Sequence, residues 1–172
     1  MKKLVIIVAI IFCALISKAQ IGVFEFTSVD STKLTKSECF TVCKTWVINN
    51  FKTNAALQME DKDAGLIIVK GNMSTWIQSG ISKCEYVVDF KLTVQIKDYK
   101  VKVVLSDFWN TYSYCGGKSN SYVGGSLSDE KSDCLMTKKM WADIKMQSET
   151  KVKEPLESIK TDIKNGKKSD NW

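Results

Sequence analysis

Residues 86–97 carry the strictest pattern in the chain, because an apolar side chain stands at every second position. A period of two over this length predicts a long β-strand with one dry face and one solvated face. Asp98 and Tyr99 predict a tight reversal, and residues 100–109 supply the partner strand with the same alternation. A solvated face favours an antiparallel sheet that helices cover on one side only.

Further strands and two helices are predicted around this hairpin. The predicted strands are 21–27, 56–60 and 66–76, and the predicted helices run from about 35 to 52 and from about 135 to 166. Pro155 is expected to kink or divide the second helix, and residues 112–133 are expected to form a loop. The order β-α-β-β-β-β-α predicts an α+β fold, with a single antiparallel sheet of about five strands and two helices on one face.

The first helix has a clear start and a buried stripe. Thr35 and Glu38 form a capping box, in which each side chain satisfies the backbone N–H of the other residue. Cys39, Cys43 and Trp46 then recur at spacings of three and four. We interpret the two cysteines as core residues, because a metal site would need further ligands and the chain has no His.

Residues 1–19 are typical of a secretory signal peptide, with two lysines, an uncharged apolar run over 4–16, and small residues before the cut. We therefore expect a mature chain from Gln20, with 20–166 as a single α+β domain and 167–172 as a disordered tail. The apolar run is shorter than the roughly 20 residues that a bilayer requires, and no second such run follows. The prediction is an exported protein without a transmembrane segment, located in the periplasm, at the cell surface or outside the cell.

Two absences restrict the chemistry. All 25 basic residues are Lys, and neither Arg nor His occurs. Without Arg, bidentate recognition of phosphate is lost, so we expect no nucleic-acid partner. Without His, the commonest general base and metal ligand are missing. The net charge of +6 falls to +3 once the leader is removed. We assign no catalytic residue, metal ligand or cofactor.

Five cysteines remain after signal removal, and export permits disulfides. Cys115 and Cys134 bracket a Gly/Ser-rich loop and form a candidate disulfide. A bond from Cys84 to a helix cysteine is the alternative. Because five is odd, one cysteine stays free or joins two chains, so a homo-oligomer is a further expectation.

The solvated face of the hairpin is the candidate binding surface. It would present polar residues to polyanions such as envelope lipids or glycans, although the same residues also suit a plain solvated face. This predicted face comprises Lys91, Thr93, Gln95, Lys97, Lys100 and Lys102.

Residues 34–71 resemble a secreted bacterial family of domains of unknown function with a TATA-box-binding-protein-like fold. The resemblance rests on residues 34–38, Trp46, Phe51, 61–67 and Gly71, and it extends over 21–112 with the hairpin at 96–102. The family's hairpin usually has Gly in the turn and Arg on the return strand, where this chain has Asp98, Tyr99 and Lys. The resemblance implies fold and export, but no activity and no catalytic residues.

The expected function is therefore an exported non-catalytic domain, either a binding or a structural module of the cell envelope. Its partner would be an envelope protein, glycan or lipid. The alternative is a thiol- or carboxylate-dependent enzyme of the periplasm.

Overall fold

The computed structural model describes residues 23–51, 56–79, 82–115, 118–120, 124–130 and 136–166. In these residues the chain forms seven strands and two helices. Their bounds are β1 Phe26–Ser31, α1 Lys36–Asn50, β2 Leu57–Asp61, β3 Leu66–Ser79, β4 Ser82–Lys97, β5 Lys100–Cys115, β6 Lys118–Asn120, β7 Gly125–Ser126 and α2 Lys138–Asn165.

The strands form one antiparallel sheet in the order β1-β5-β4-β3-β2, and the short strands β6 and β7 also pair with β5. The predicted α+β fold with two helices is thus confirmed. The first strand is an exception, since it lies at Phe26–Ser31 rather than 21–27. A second correction concerns 112–133, where β5 continues to Cys115 and β6 and β7 follow within the expected loop.

The core lies between the helices and one face of the sheet. On β4 every even-numbered residue from Cys84 to Ile96 is buried, as the period of two predicts. Trp46 of α1 and Trp141 of α2 are among the largest buried side chains. The two helices also contact each other directly, since the Trp46 Nε1–H donates a hydrogen bond to Ser158 Oγ at 3.0 Å. The odd-numbered residues of β4 from Lys83 to Lys97 are half-buried or exposed and form the open face of the sheet.

Both helices have an end that a capping residue explains. Thr35 and Glu38 form the predicted capping box, with the Thr35 N–H donating to Glu38 Oε2 at 3.0 Å. Gly166 ends α2 in the left-handed conformation, at φ +57°. Pro155 lies inside α2, which runs unbroken from Lys138 to Asn165, so of the expected kink or division the division does not occur. Buried Val152 and Ile159 flank the proline, and their packing outweighs the lost backbone hydrogen bond.

Neither described helix is long and apolar enough to cross a membrane.

Candidate binding groove on the open face of the sheet

The predicted lysine face lies on the open side of the sheet, where the structure separates it into two parts. Gln95 pairs with Lys102, and Lys97 pairs with Lys100, so these four residues form one cluster at the hairpin turn. We call this cluster the lysine end. Lys91 lies further along β4, opposite Ser106, and takes part in a different site.

The lysine end has ammonium groups available to attract anions. None of its three lysines, Lys97, Lys100 and Lys102, has a carboxylate within ion-pair distance among the described residues. All four members of the cluster are exposed. Its chemistry fits the polyanion surface that the sequence predicts, but no bound group identifies a ligand.

Strand β5 changes phase in the middle of the sheet. Asp89 pairs with Trp109 and Lys91 pairs with Ser106, so two residues of β5 lie opposite Phe90 alone. One of these two, Asp107, adopts φ +55°, a left-handed conformation that costs a non-glycine residue roughly 1 kcal/mol or more. Such a β-bulge bends its strand and redirects the side chains that follow.

The bulge is held in place by aromatic packing on the core side. Phe108 stacks on Phe90 at a centroid distance of 5.8 Å, and it meets Phe24 and Phe26 edge to face at 5.1 and 5.7 Å. Because Phe108 occupies the core, the next residue, Trp109, must point to the open face. There its side chain is 48% exposed.

Trp109 stands in a groove of about 550 Å³ on the open face. Strands β2 to β5 all contribute residues, and Ile68 supplies apolar surface beside the indole. This volume lies within the range of about 300–1,000 Å³ that is typical of small-molecule sites. A half-exposed tryptophan at such a place has an apolar face available for contact and an N–H available for hydrogen bonding.

Four charged side chains line the groove in two ion pairs. Lys91 Nζ lies 2.5 Å from Asp107 Oδ2, and Lys70 Nζ lies 3.7 Å from Asp89 Oδ2. The positive and negative charges therefore balance. Exposed pairs of this kind contribute at most about 1 kcal/mol to folding. Their effect on the site is to hold carboxylate and ammonium groups around Trp109.

The helix cysteines offer no exposed thiol. Cys39 and Cys43 are free and fully buried, as the core interpretation predicts. The hydrogen bond with Cys39 and the burial of the group both raise the pKa of Cys43, so its reactive thiolate is disfavoured.

The expected alternative disulfide, from Cys84 to a helix cysteine, was wrong, because both helix cysteines are free. Cys84 instead lies directly opposite Cys115 in the pairing of β4 with β5. The predicted bond between Cys115 and Cys134 stays a prediction, since Cys134 and the side chain of Cys115 lie outside the described residues.

Within the described ranges, no group of three or more Cys, Asp or Glu residues could hold a metal ion. Sequence reasoning did not find the groove, and it did not single out Trp109 or Asp107. The sequence does contain a signal for the bulge, because the buried apolar positions of β5 change from odd to even numbers between Leu105 and Phe108. Such a change marks a bulge, and a bulge redirects side chains.

Residues 26–110 match the model of a family described as a domain of unknown function (DUF4468) with a TBP-like fold. Over these residues the chain is similar to the DUF4468 family. The match includes the lysine end and, apart from Thr111, every residue that lines the groove. The family that the sequence resembles is thereby confirmed, together with its fold.

Two crystal structures are similar to this chain. A DUF4468 family protein from Bacteroides ovatus has a TM-score of 0.64 and 11% identity, with 86% of this chain and 89% of that one covered. A TBP-like protein from Parabacteroides distasonis has a TM-score of 0.57 and 12% identity, with 79% and 92% covered. At these identities the likeness shows the fold alone. No curated protein matches the sequence.

Proposed function

We propose that the mature chain is an exported, non-catalytic binding module whose ligand occupies the groove around Trp109. The observation that carries this proposal is a 48% exposed tryptophan inside a concave site, ringed by polar groups. Trp is the residue type that most often dominates binding energy, and functional pockets combine apolar walls with a few placed polar groups.

The bulge supports the same assignment. Asp107 holds a backbone conformation that is costly for its residue type, and strain of this kind concentrates at functional sites. Here the bulge places Asp107 and Trp109 together in the groove.

Export is proposed from residues 1–19, which lie outside the described residues. The apolar run, the basic start and the small residues before Gln20 support it. Amino-terminal sequencing of the protein from its native cells provides the test. A mature chain that begins near Gln20 is expected, and an intact leader would contradict export.

A second candidate is a carboxylate-dependent enzyme, because Asp89 and Asp107 line the same groove. Paired acids can act as general acid and base or nucleophile. Each carboxylate here, however, is already engaged in an ion pair with a lysine. The thiol version of this alternative finds no support, since the free thiols of Cys39 and Cys43 are buried.

The binding proposal is tested by capture from envelope extracts of the cells that make the protein. Wild type, Trp109→Ala and Trp76→Ala are immobilised, and retained proteins, lipids and glycans are identified by mass spectrometry. Trp76 is a matched control, because it is 43% exposed on the same face but does not line the groove. We expect one component to be lost with Trp109→Ala and kept with Trp76→Ala. Equal retention by all three proteins would overturn the assignment of the groove.

A further inference from the structure

We propose that the groove binds an uncharged carbohydrate, with one sugar ring stacked on the indole of Trp109. This inference rests on the proposed function, since it names the class of ligand for the same groove. It follows from the charge balance, the hydrogen-bonding groups and the apolar surface of the site.

Charge balance selects a neutral ligand. The groove contains two lysines and two aspartates, and each ammonium lies within 4 Å of a carboxylate. An anionic ligand would be attracted by Lys70 and Lys91 but repelled by the aspartates paired with them. A cationic ligand would be attracted by the aspartates but repelled by the lysines. Anions have a better place on the same face, because the lysine end carries three lysines without an acidic partner among the described residues.

The polar groups match a ligand that both donates and accepts hydrogen bonds. Carboxylates accept only, and ammonium groups donate only. The hydroxyl of Thr111 donates to the Val87 carbonyl at 3.3 Å and keeps its acceptor capacity. Sugar hydroxyl groups can bond to every one of these, and bonds to charged partners are the stronger ones.

The surface between these polar groups is hydrocarbon. Ile68, Trp109 and the aliphatic stems of the lysines provide it. A pyranose ring presents a face of C–H groups, which packs on a flat indole while its hydroxyl groups point outward at the rim. An entirely apolar ligand would instead strip water from four charged groups without replacing their hydrogen bonds.

An extended peptide fits less well. Peptides that bind to sheets add a strand at an edge, where backbone groups are unpaired. The groove lies mainly over β3, β4 and β5, with Gln58 alone contributed by the edge strand β2. The backbone groups of β3, β4 and β5 are already paired with one another across the sheet. Recognition must therefore come from side chains, as it does for a sugar.

The test uses an array of immobilised oligosaccharides built from neutral sugars, with uronic-acid and sulfated oligosaccharides on the same array. The best neutral probe is then titrated calorimetrically against wild type and variants. We expect binding to neutral probes, with little change between 50 and 300 mM salt, because no net charge is neutralised. Preference for the anionic probes with strong salt dependence would overturn the inference, and so would absence of binding to every neutral probe.

Three variants locate the site. Trp109→Ala is expected to weaken binding about tenfold or more, whereas Trp76→Ala should stay within about twofold of wild type. Asp107→Asn keeps the side-chain shape and tolerates a positive φ, so its expected loss of about threefold to tenfold reports the charged acceptor. Thermal unfolding of each variant establishes that the fold is retained. Unchanged affinity in both Trp109→Ala and Asp107→Asn would overturn the inference.

The two proposals fail in different ways. If no neutral probe binds while Trp109→Ala still loses a protein or lipid from the extract, the carbohydrate inference fails and the groove remains a binding site. If extract capture is the same for wild type and Trp109→Ala, the assignment of the groove itself fails.

Discussion

The side-chain amide of Gln147 on α2 makes two hydrogen bonds with the backbone of Trp76 on β3. Its Oε1 accepts from the Trp76 N–H at 3.0 Å, and its Nε2 donates to the Trp76 carbonyl at 2.7 Å. Lys151 also donates to the Ser74 carbonyl. The pairing of β2 ends at Val69, so this part of β3 is a sheet edge within the described residues. Side chains of α2 thus occupy the positions that an adjoining strand would take.

Replacing Gln147 with Ala should weaken the fold and expose this edge. The loss of two hydrogen bonds predicts a fall of about 1–2 kcal/mol in the free energy of unfolding, measured by chemical denaturation. The unpaired edge should also increase self-association, measured by sedimentation. Lys153→Ala on the same helix is the control, because its exposed pair with Glu149 contributes at most about 1 kcal/mol. Equal behaviour of the two variants would contradict the edge-covering role.

Substitutions at Gly65 and Gly166 distinguish the stability cost of backbone strain from that of a steric clash. Both adopt positive φ, at +69° and +57°, but a Cβ at Gly65 would lie 2.2 Å from the Ile96 carbonyl oxygen. At Gly166 the nearest atom, on Leu34, would lie at an ordinary 3.6 Å. We expect Gly166→Ala to cost about 1 kcal/mol of unfolding free energy and Gly65→Ala about 3 kcal/mol or more. Denaturant midpoints check this order, which equal losses would refute.

Two serines of α2 should respond to alanine with opposite signs. The Ser148 hydroxyl is buried without a hydrogen-bond partner among the described residues, so Ser148→Ala should raise the free energy of unfolding by about 1 kcal/mol. Ser158 accepts the hydrogen bond from the Trp46 indole, so Ser158→Ala should lower it by about 1 kcal/mol. Thermal and chemical denaturation of both variants provide the measurement. Destabilisation by Ser148→Ala would show that its hydroxyl is satisfied.

The strand pairing predicts which cysteines form a disulfide bond. Residues directly opposite on antiparallel strands have Cα atoms about 4.5–5.5 Å apart, within the range that a disulfide spans. We therefore expect oxidised protein to yield a linked peptide pair containing Cys84 and Cys115. Linkage of Cys115 to Cys134 would support the alternative instead.

The same experiment tests the helix cysteines and the oligomeric state. Cys39 and Cys43 should resist maleimide until the protein is denatured, because both are fully buried. With Cys84 and Cys115 joined, Cys134 is the odd cysteine, and a dimer on a non-reducing gel would place it between two chains. Labelling of Cys39 or Cys43 in the native protein would contradict the structure of α1.

The hairpin and the first helix could be predicted because their signals are local. Tyr99 sits at the turn with φ +61°, and the strands on either side keep a strict period of two as far as Leu105. The reciprocal bonds of Thr35 and Glu38 need no distant partner either. In both cases the information lies within a few residues of the feature.

The groove and the first strand depend on distant partners. Trp109 is redirected by a bulge that Phe108 stabilises through contacts with Phe24 and Phe26, and no local pattern encodes those contacts. Residues 28–31 lie beyond the predicted strand 21–27, yet they belong to β1 because β5 pairs with them. An edge strand tolerates polar side chains, so polarity alone does not exclude a strand there.

Pairing of β1 with β5 also sets the order in which the molecule can be completed. Strand β1 emerges first of the described strands from the ribosome, but its only described neighbour in the sheet, β5, is the last long strand to follow. Until β5 has been synthesised, β1 has no strand to pair with, so this long-range contact forms late. A fragment that stops before residue 100 would leave β1 and β4 without the strand that they share.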